Sequence, residues 1–455
     1  MRKSRVLVLN SRDYHKKKQS TFLVILLVIF IAIAAFLLLR QQQQVNIQNI
    51  RLFFYDSVNQ ELIPIERNVD ISGTQEKAIK TIIEQLSLPP ENLQSLIPAY
   101  THVQSVSFQR DTCIVTFQDL SVTELIDSVV KESAAVYSLV NSITEFPGIH
   151  KVQLNIEGKQ DLYFHRYVSI EHPLTRMTGQ LLRGVNALLF FYHYPSESIM
   201  GELREIPQHD SLDKTAYNVV NQLIIGSPQH DMDSLIPQGT RINQAWVENA
   251  ICHIDFSKEV RRFSLGASKE LALVNLLVLS LTEMQGIERV QFLVEGQTVF
   301  TLGGHMAVDK PLQRWYGKSD ENARIYFLRK FQHHLSFVPI EREVASMQPE
   351  DVIQALIDGT TATEKEQGIS SDIPSGIKIN ACYPNENNEL IVDLEVELSK
   401  FLNAQQEQNF LRQMVLSITE NTRLQHIRFF FDGKKLESLP FGTDTSKVFT
   451  RALSF

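Results

Sequence analysis

The chain has 455 residues, of which 43% are hydrophobic and 21% charged, with a net charge of −8. That balance belongs to a globular protein rather than a disordered one, and the length suits about three ordinary domains. Residues 1–40 carry eight basic residues and one acid, so the remaining body is strongly acidic; phosphate neutralisation needs clustered Lys and Arg, which excludes general nucleic-acid binding.

Residues 1–20 are basic and polar, and 21–39 are nineteen uncharged, mostly apolar residues. At 1.5 Å per residue that run spans roughly a 30 Å hydrocarbon core. A cleaved signal peptide would have a shorter apolar region followed by small residues; here Ala32, Ala34 and Ala35 lie inside the run. The segment is expected to be a transmembrane signal anchor, preceded by a cytoplasmic tail (1–20) and followed by a linker (40–48). The basic flank is expected to place the N-terminus in the cytoplasm and the body outside it.

The rest of the chain repeats. Ser142-Ile143-Thr144-Glu145, a Pro-Gly turn, a strand and Glu157-Gly158 return as Ser280–Glu283 with Glu295-Gly296, and as Ser417–Glu420 with Asp432-Gly433. A period this long means repeated domains, expected at 49–176, 187–314 and 323–455. In the first copy, 50–55 and 62–67 read as strands. Residues 75–86 have helical spacing (Ala78, Ile79, Ile82, Ile83, Leu86). Residues 103–108 and 113–117 read as an antiparallel pair, 122–145 as a long helix ending before Pro147-Gly148, 152–157 as a strand, and 162–170 as one more. The second copy replays this with strands at 188–192 and 203–206, a helix at 214–225, a strand region at 246–256, a helix at 269–283 and a strand at 290–295. The third has strands at 325–328 and 337–342, helices at 351–358 and 407–420, and strands at 390–394 and 427–432. Its Gln- and Glu-rich insertion at 363–371 reads as a surface loop. Each copy is therefore expected to be a small α+β domain, two helices packed on a mixed sheet, and the three are expected to be tethered modules with separate cores.

Several polar residues recur at equivalent positions: Arg67, Arg204 and Arg342; Glu132, Glu270 and Glu407; Arg176, Arg314 and Arg451; and the serines Ser142, Ser280 and Ser417. They fit either three copies of an active site or Arg–carboxylate pairs tying sheet to helix. No histidine recurs beside the serines to serve as a base, so the structural reading is favoured and no catalytic residue, metal or cofactor is assigned. The three cysteines (Cys113, Cys252, Cys382) make neither a disulfide framework nor a zinc spacing. The outer face of the last strand changes along the chain, from Gln153 and Asn155 to Leu293 and then to Phe430. Leu293 and Phe430 are therefore the candidate interaction face.

The order of motifs resembles the GerMN domain. The second copy carries it most fully, with Leu223–Pro228, Leu235-Ile236-Pro237-Gln238-Gly239-Thr240, Ile254-Asp255-Phe256-Ser257, Leu281-Thr282-Glu283, Val294-Glu295-Gly296, Gly304-His305 and Pro311-Leu312-Gln313-Arg314. The first copy has Ala99-Tyr100 for the Gly-Thr and Thr116 for the Asp; the third lacks the Gly-His tail. The resemblance implies ring-building-motif-like extracytoplasmic domains of sporulation, germination or envelope complexes, serving assembly rather than catalysis. The expectation is a membrane-anchored scaffold, not an enzyme, that contacts other envelope proteins or itself. A cell-wall or glycan-binding module, with peptidoglycan as partner, is the alternative, and an envelope hydrolase a third reading.

Overall fold

The computed structural model describes residues 28–31, 46–158, 163–177, 179–209, 211–262, 266–315, 321–331 and 334–451. Apart from one helical turn at 28–31, the tail, the expected span at 21–39 and most of the linker lie outside the described residues. Among the described residues no helix is long and apolar enough to cross a membrane.

Residues 1–181 and 182–455 make two compact units. The first holds copy one. Strands β1 (Ile47–Asp56) and β2 (Glu61–Asp70) form an antiparallel hairpin. Helix α1 (Gln75–Leu86) starts at Thr74, whose Oγ1 accepts from the Lys77 N–H at 3.2 Å, and buries Ala78, Ile79, Ile82, Ile83 and Leu86. Strands β3 (Val103–Gln109) and β4 (Thr112–Phe117) pair antiparallel. Helix α2 (Val129–Ile143) then crosses over, so that β5 (Lys151–Ile156) lies parallel to β4. The short β6 (Leu174–Thr175) completes a mixed four-stranded sheet. Helix α2 is buried on nearly every side because it touches the hairpin, α1 and β5 together.

Two expectations change here. The long helix does not start at 122. Residues Leu120–Thr123 form a 3₁₀ turn capped by Asp119, and Ser128 caps α2 afresh. Both caps satisfy N–H groups that a continuous helix would bond internally. The segment read as a strand at 162–170 is instead, over its described residues, a tight turn in which the Phe164 N–H donates to the Val168 carbonyl at 2.8 Å.

The second unit holds copies two and three. Copy two has the hairpin β7 (Gly184–His193) and β8 (Ser198–Pro207), α3 (Leu212–Ile225), β9 (Met232–Asp233), β10 (Ile242–Glu248), β11 (Ile251–Phe256), α4 (Ala267–Leu281), β12 (Arg289–Val294) and β13 (Gln297–Thr298). Asn249 and Ala250, both at positive φ, split the 246–256 region into two strands. Copy three has the hairpin β14 (Ala323–Phe331) and β15 (His334–Arg342), α5 (Pro349–Ile357), α6 (Ala362–Glu366), β16 (Ile369–Ser370), β17 (Lys378–Pro384), β18 (Leu390–Glu395), α7 (Ala404–Asn421) and β19 (Ile427–Phe431). The inserted segment is not a plain surface loop: Thr361 and Glu364 form a capping box at the start of α6, and β16 pairs with β14.

Copies two and three are not tethered modules. Strand β8 pairs antiparallel with β15, Glu202 opposite Ser336 and Gly201 opposite Phe337, giving one sheet in the order β16-β14-β15-β8-β7-β9. A single hydrophobic core runs through both copies, from Phe190 and Leu277 to Phe337 and Leu416. The hairpins of a two-layer unit leave an edge unpaired, and here each copy covers the other's edge.

Candidate functional site

The recurring polar residues are placed by the same elements in every copy. The serines lie on the central helix and accept a hydrogen bond from the first strand. Ser142, Ser280 and Ser417 take the backbone N–H of Phe53, Phe190 and Tyr326 at 3.0, 2.9 and 2.9 Å. All three serines are fully buried. Their hydroxyls bolt helix to strand.

Glu132, Glu270 and Glu407 each occupy the fourth residue of that helix and are fully buried. Their partners are not arginines, as the sequence suggested, but backbone N–H groups of the loop after the last long strand. Glu132 accepts from the N–H groups of His165, Arg166, Tyr167 and Val168 at 2.9–3.0 Å. Glu270 accepts from Gly303 at 2.7 Å and His305 at 2.8 Å, and its carboxylate also meets His305 Nδ1 at 2.9 Å. Glu407 accepts from Phe441 at 2.7 Å and Thr443 at 3.3 Å. Burial alone would raise the Glu270 carboxyl, but these N–H donors hold it below its ordinary value. The loop is thus folded around a buried anion.

Arg67, Arg204 and Arg342 lie on the second strand, each over an aromatic ring of the first: Phe54 at 5.0 Å, Phe191 at 5.1 Å and Phe327 at 5.1 Å. Arg67 donates to the Gln85 carbonyl and Arg204 to those of Gln222 and Gly226, at the C-terminal ends of α1 and α3. A cation there satisfies carbonyls the helix leaves open. In copy three Arg342 instead meets Glu364 of the inserted helix α6 at 2.6 Å.

The third set makes a charged seam. Arg176, Arg314 and Arg451 each donate to a carbonyl near the end of their own central helix (Asn141, Leu279 and Leu416) and to a threonine there (Thr144, Thr282 and Thr419). In the second unit they also cross between copies. Arg314 grips Glu420 through two bonds of 2.9 and 2.8 Å, and Arg451 meets Glu283 at 2.9 Å and its own Glu420 at 2.6 Å. The Tyr326 hydroxyl donates to Glu420 at 2.6 Å. The Glu283 and Glu420 side chains are only 2% exposed, so the exchange is dry. Burial would raise the Glu420 carboxyl, yet Arg314 and Arg451 outweigh it and hold it well below the usual carboxylate range. Around the same junction Arg329 of copy three meets Asp231 of copy two at 2.7 Å, and Gln229 reaches Ser336 at 3.2 Å.

Asp231 also contacts His193 Nε2 at 3.2 Å, while His193 Nδ1 lies 2.6 Å from Ser196 Oγ. These are the residue types of a hydrolytic triad. The Asp231 carboxylate, however, is already held by an arginine of copy three, which weakens it as a partner for an imidazolium. Among the described residues no group of three or more His, Cys, Asp or Glu could hold a metal ion. Cys113 and Cys252 are fully buried free thiols, and burial pushes all three cysteine thiols up to about 12.

A profile of the Germane family, described as sporulation and spore germination, matches residues 51–162, 189–300 and 324–437. The chain belongs to the Germane family. Each match contains one copy of the serine bolt and the buried glutamate, and the seam arginines Arg176, Arg314 and Arg451 follow 14 residues after its end. Among solved structures, the Germane chain is similar to the tandem GerMN domains of the sporulation protein GerM from Bacillus subtilis, with 17% identity over 59% of this chain and 98% of that one, at a TM-score of 0.45. It is also similar to a putative lipoprotein from Clostridium perfringens, with 22% identity over 29% of this chain and 87% of that one, at a TM-score of 0.22. No curated protein matches the chain.

Other Germane positions have bonding roles that sequence reasoning missed. Gln153 and Gln291 donate from the outer face of β5 and β12 to the carbonyls of Ile170 and Val308, and Arg428 on β19 to that of Ser446. Each pins the returning tail across the sheet. Asp255 and Asp393 accept from the turn N–H groups of Gly296 and Gly433 at 2.8 and 3.0 Å. Their near-equal spacing before the turn glycines, 41 residues to Gly296 and 40 to Gly433, was the available signal. The candidate faces Leu293 and Phe430 stand half-buried on that outer surface, opposite Asp255 and Asp393 in the parallel register.

Proposed function

We propose that this Germane protein is a membrane-anchored, extracytoplasmic assembly protein of the bacterial envelope, working through contacts of its domains with other envelope proteins or with further copies of itself. The observation that carries the reading is the β8–β15 pairing, because here one Germane domain docks on another by strand edge and exchanged ion pairs. The polar residues that recur in all three copies are engaged in bonds within the fold, which leaves the variable outer surfaces for partners. The basic tail and the apolar run at 21–39 supply the anchor. Leu293 and Phe430 are the outward candidates for docking.

The test is crosslinking in intact cells followed by affinity recovery of the full chain. Envelope proteins or additional copies of the chain should be captured, and fewer with Phe430→Asn at an unchanged thermal midpoint. Recovery of muropeptides with no protein partner would favour the glycan-binding reading instead. One observation speaks for that second reading: Trp246 lies half-exposed on β10, stacked on His253 at 4.8 Å, and Tyr383, 53% exposed, occupies the matching place on β17.

A further inference from the structure

Copy one has the face by which copies two and three pair, yet among the described residues no strand pairs with the outer edge of β2. The serine bolts align Phe53, Phe190 and Tyr326, so the residues two earlier are equivalent: Arg51, Leu188 and Arg324. The recurring arginines of the second strand align Pro64, Gly201 and Pro339 in the same way. In the paired copies the glutamate at the helix end takes its own arginine and that of the other copy. In copy one Glu145 takes Arg176 and, in the second place, Arg51 of the same copy, through bonds of 3.0 and 2.9 Å.

We infer that copy one is a pairing-competent domain held shut, with Arg51 standing in for the arginine of a second copy of this chain. Three observations carry this. Arg51 is poorly enclosed, its side chain 52% exposed, whereas the partner-supplied Arg451 is 8% exposed. Copy three shows the released position. Its Arg324 leaves Glu420 to Arg314 and lies over Trp315 at 4.8 Å, with Glu341 at 3.8 Å. Finally, β2 resembles the pairing strands: Leu62, Ile63 and Ile65 are half-buried along its edge. The register of β8 on β15 runs toward the equivalent residues Met200 and Val338, so Ile63 marks the centre of the corresponding pair in copy one.

Pro64 adds a second restraint, since it offers no N–H to an incoming strand. The two positions are coupled sterically. A Cβ on Gly201 would meet the Leu188 side chain at 2.9 Å, so leucine at the first position goes with glycine at the second, and arginine goes with proline in copies one and three.

The test gives copy one the residues of copy two in the full chain, Arg51→Leu with Pro64→Gly, and places Ile63→Cys at the centre of the pair. Oxidation should link chains carrying all three changes into a dimer, while Ile63→Cys alone stays monomeric. Adding Glu145→Gln, which weakens the hold on the second chain's Arg176, should reduce the linked fraction several-fold. Arg51→Ala with Ile63→Cys removes the plug without the leucine and should give a smaller linked fraction if the glycine variant fails to fold. The inference is overturned if neither opened variant links more than Ile63→Cys alone while its melting remains cooperative, or if Ile63→Cys alone already links fully. The chain without Ile63→Cys reports any linkage through Cys113, Cys252 or Cys382.

Discussion

Arg451 Nε lies 2.9 Å from Glu283 Oε1, across the boundary between copies two and three. Its counterpart Arg314 grips Glu420, so each copy supplies the other's buried counter-charge. Removing one partner of a buried pair leaves an uncompensated charge, which costs about 3–5 kcal/mol. Arg451→Met and Arg314→Met should therefore each lower the stability of the second unit by that order in denaturant titrations. Arg51→Met should change the stability of the first unit far less, because Arg51 itself is half-exposed and Glu145 keeps Arg176 as its counter-charge.

The same carboxylates set an acid limit. Glu145, Glu270 and Glu420 are all held below the ordinary value of 4.5 in the folded chain. A group depressed on folding stabilises above its unfolded value and loses that contribution as pH falls through its folded value. The contribution of these carboxylates should thus be constant through neutral pH and fall once the pH drops below about 4.5. Circular dichroism melts across pH 2–7 check this. In Glu420→Gln the acid-dependent fall should be shallower.

The buried anion under the returning loop gives a third expectation. Glu132 holds four consecutive N–H groups. A glutamine offers one acceptor oxygen and brings a donor that meets other donors. Bonds to a charged group are worth about 1.5–3 kcal/mol, so Glu132→Gln should destabilise by at least that order. Hydrogen exchange should localise the loosening to His165–Val168.

Much of this was legible. Period-two alternation located Val152, Leu154 and Ile156 as a core face, and 3.6-residue spacing located α1. The helix start at Val129 was not, because Val122 and Ile126 continue the helical spacing while Asp119 and Ser128 divide it with local caps. The partners of Glu132, Glu270 and Glu407 were hidden for a different reason: backbone N–H groups leave no signature in side-chain identity. The crossing of Arg314 to Glu420 was hidden too. An arginine and a glutamate recur at the same spacing whether they bond within a copy or between copies. Of the charges the sequence singled out, the tail arginines met the carboxylates ending Ser-x-Thr-Glu, and on the second strand Arg204 and Arg342 met Glu202 and Glu364 while Arg67 went to the Gln85 carbonyl.

Thiol chemistry gives a fourth expectation. Cys113 and Cys252 are fully buried and hold their protons up to about 12. Native protein at pH 8 should leave both unlabelled by a maleimide, with full labelling only on unfolding. Rapid native labelling of Cys252 would mean that the β11 layer opens readily.

Scanning calorimetry of the full chain asks most directly whether copies two and three are one body. Two transitions are expected, the larger from residues 182–455 unfolding as a unit, and Glu420→Gln should move the whole of that larger transition downward while leaving the other in place. Three transitions, with Glu420→Gln shifting only the one that belongs to copy three, would contradict a shared core closed by exchanged arginines.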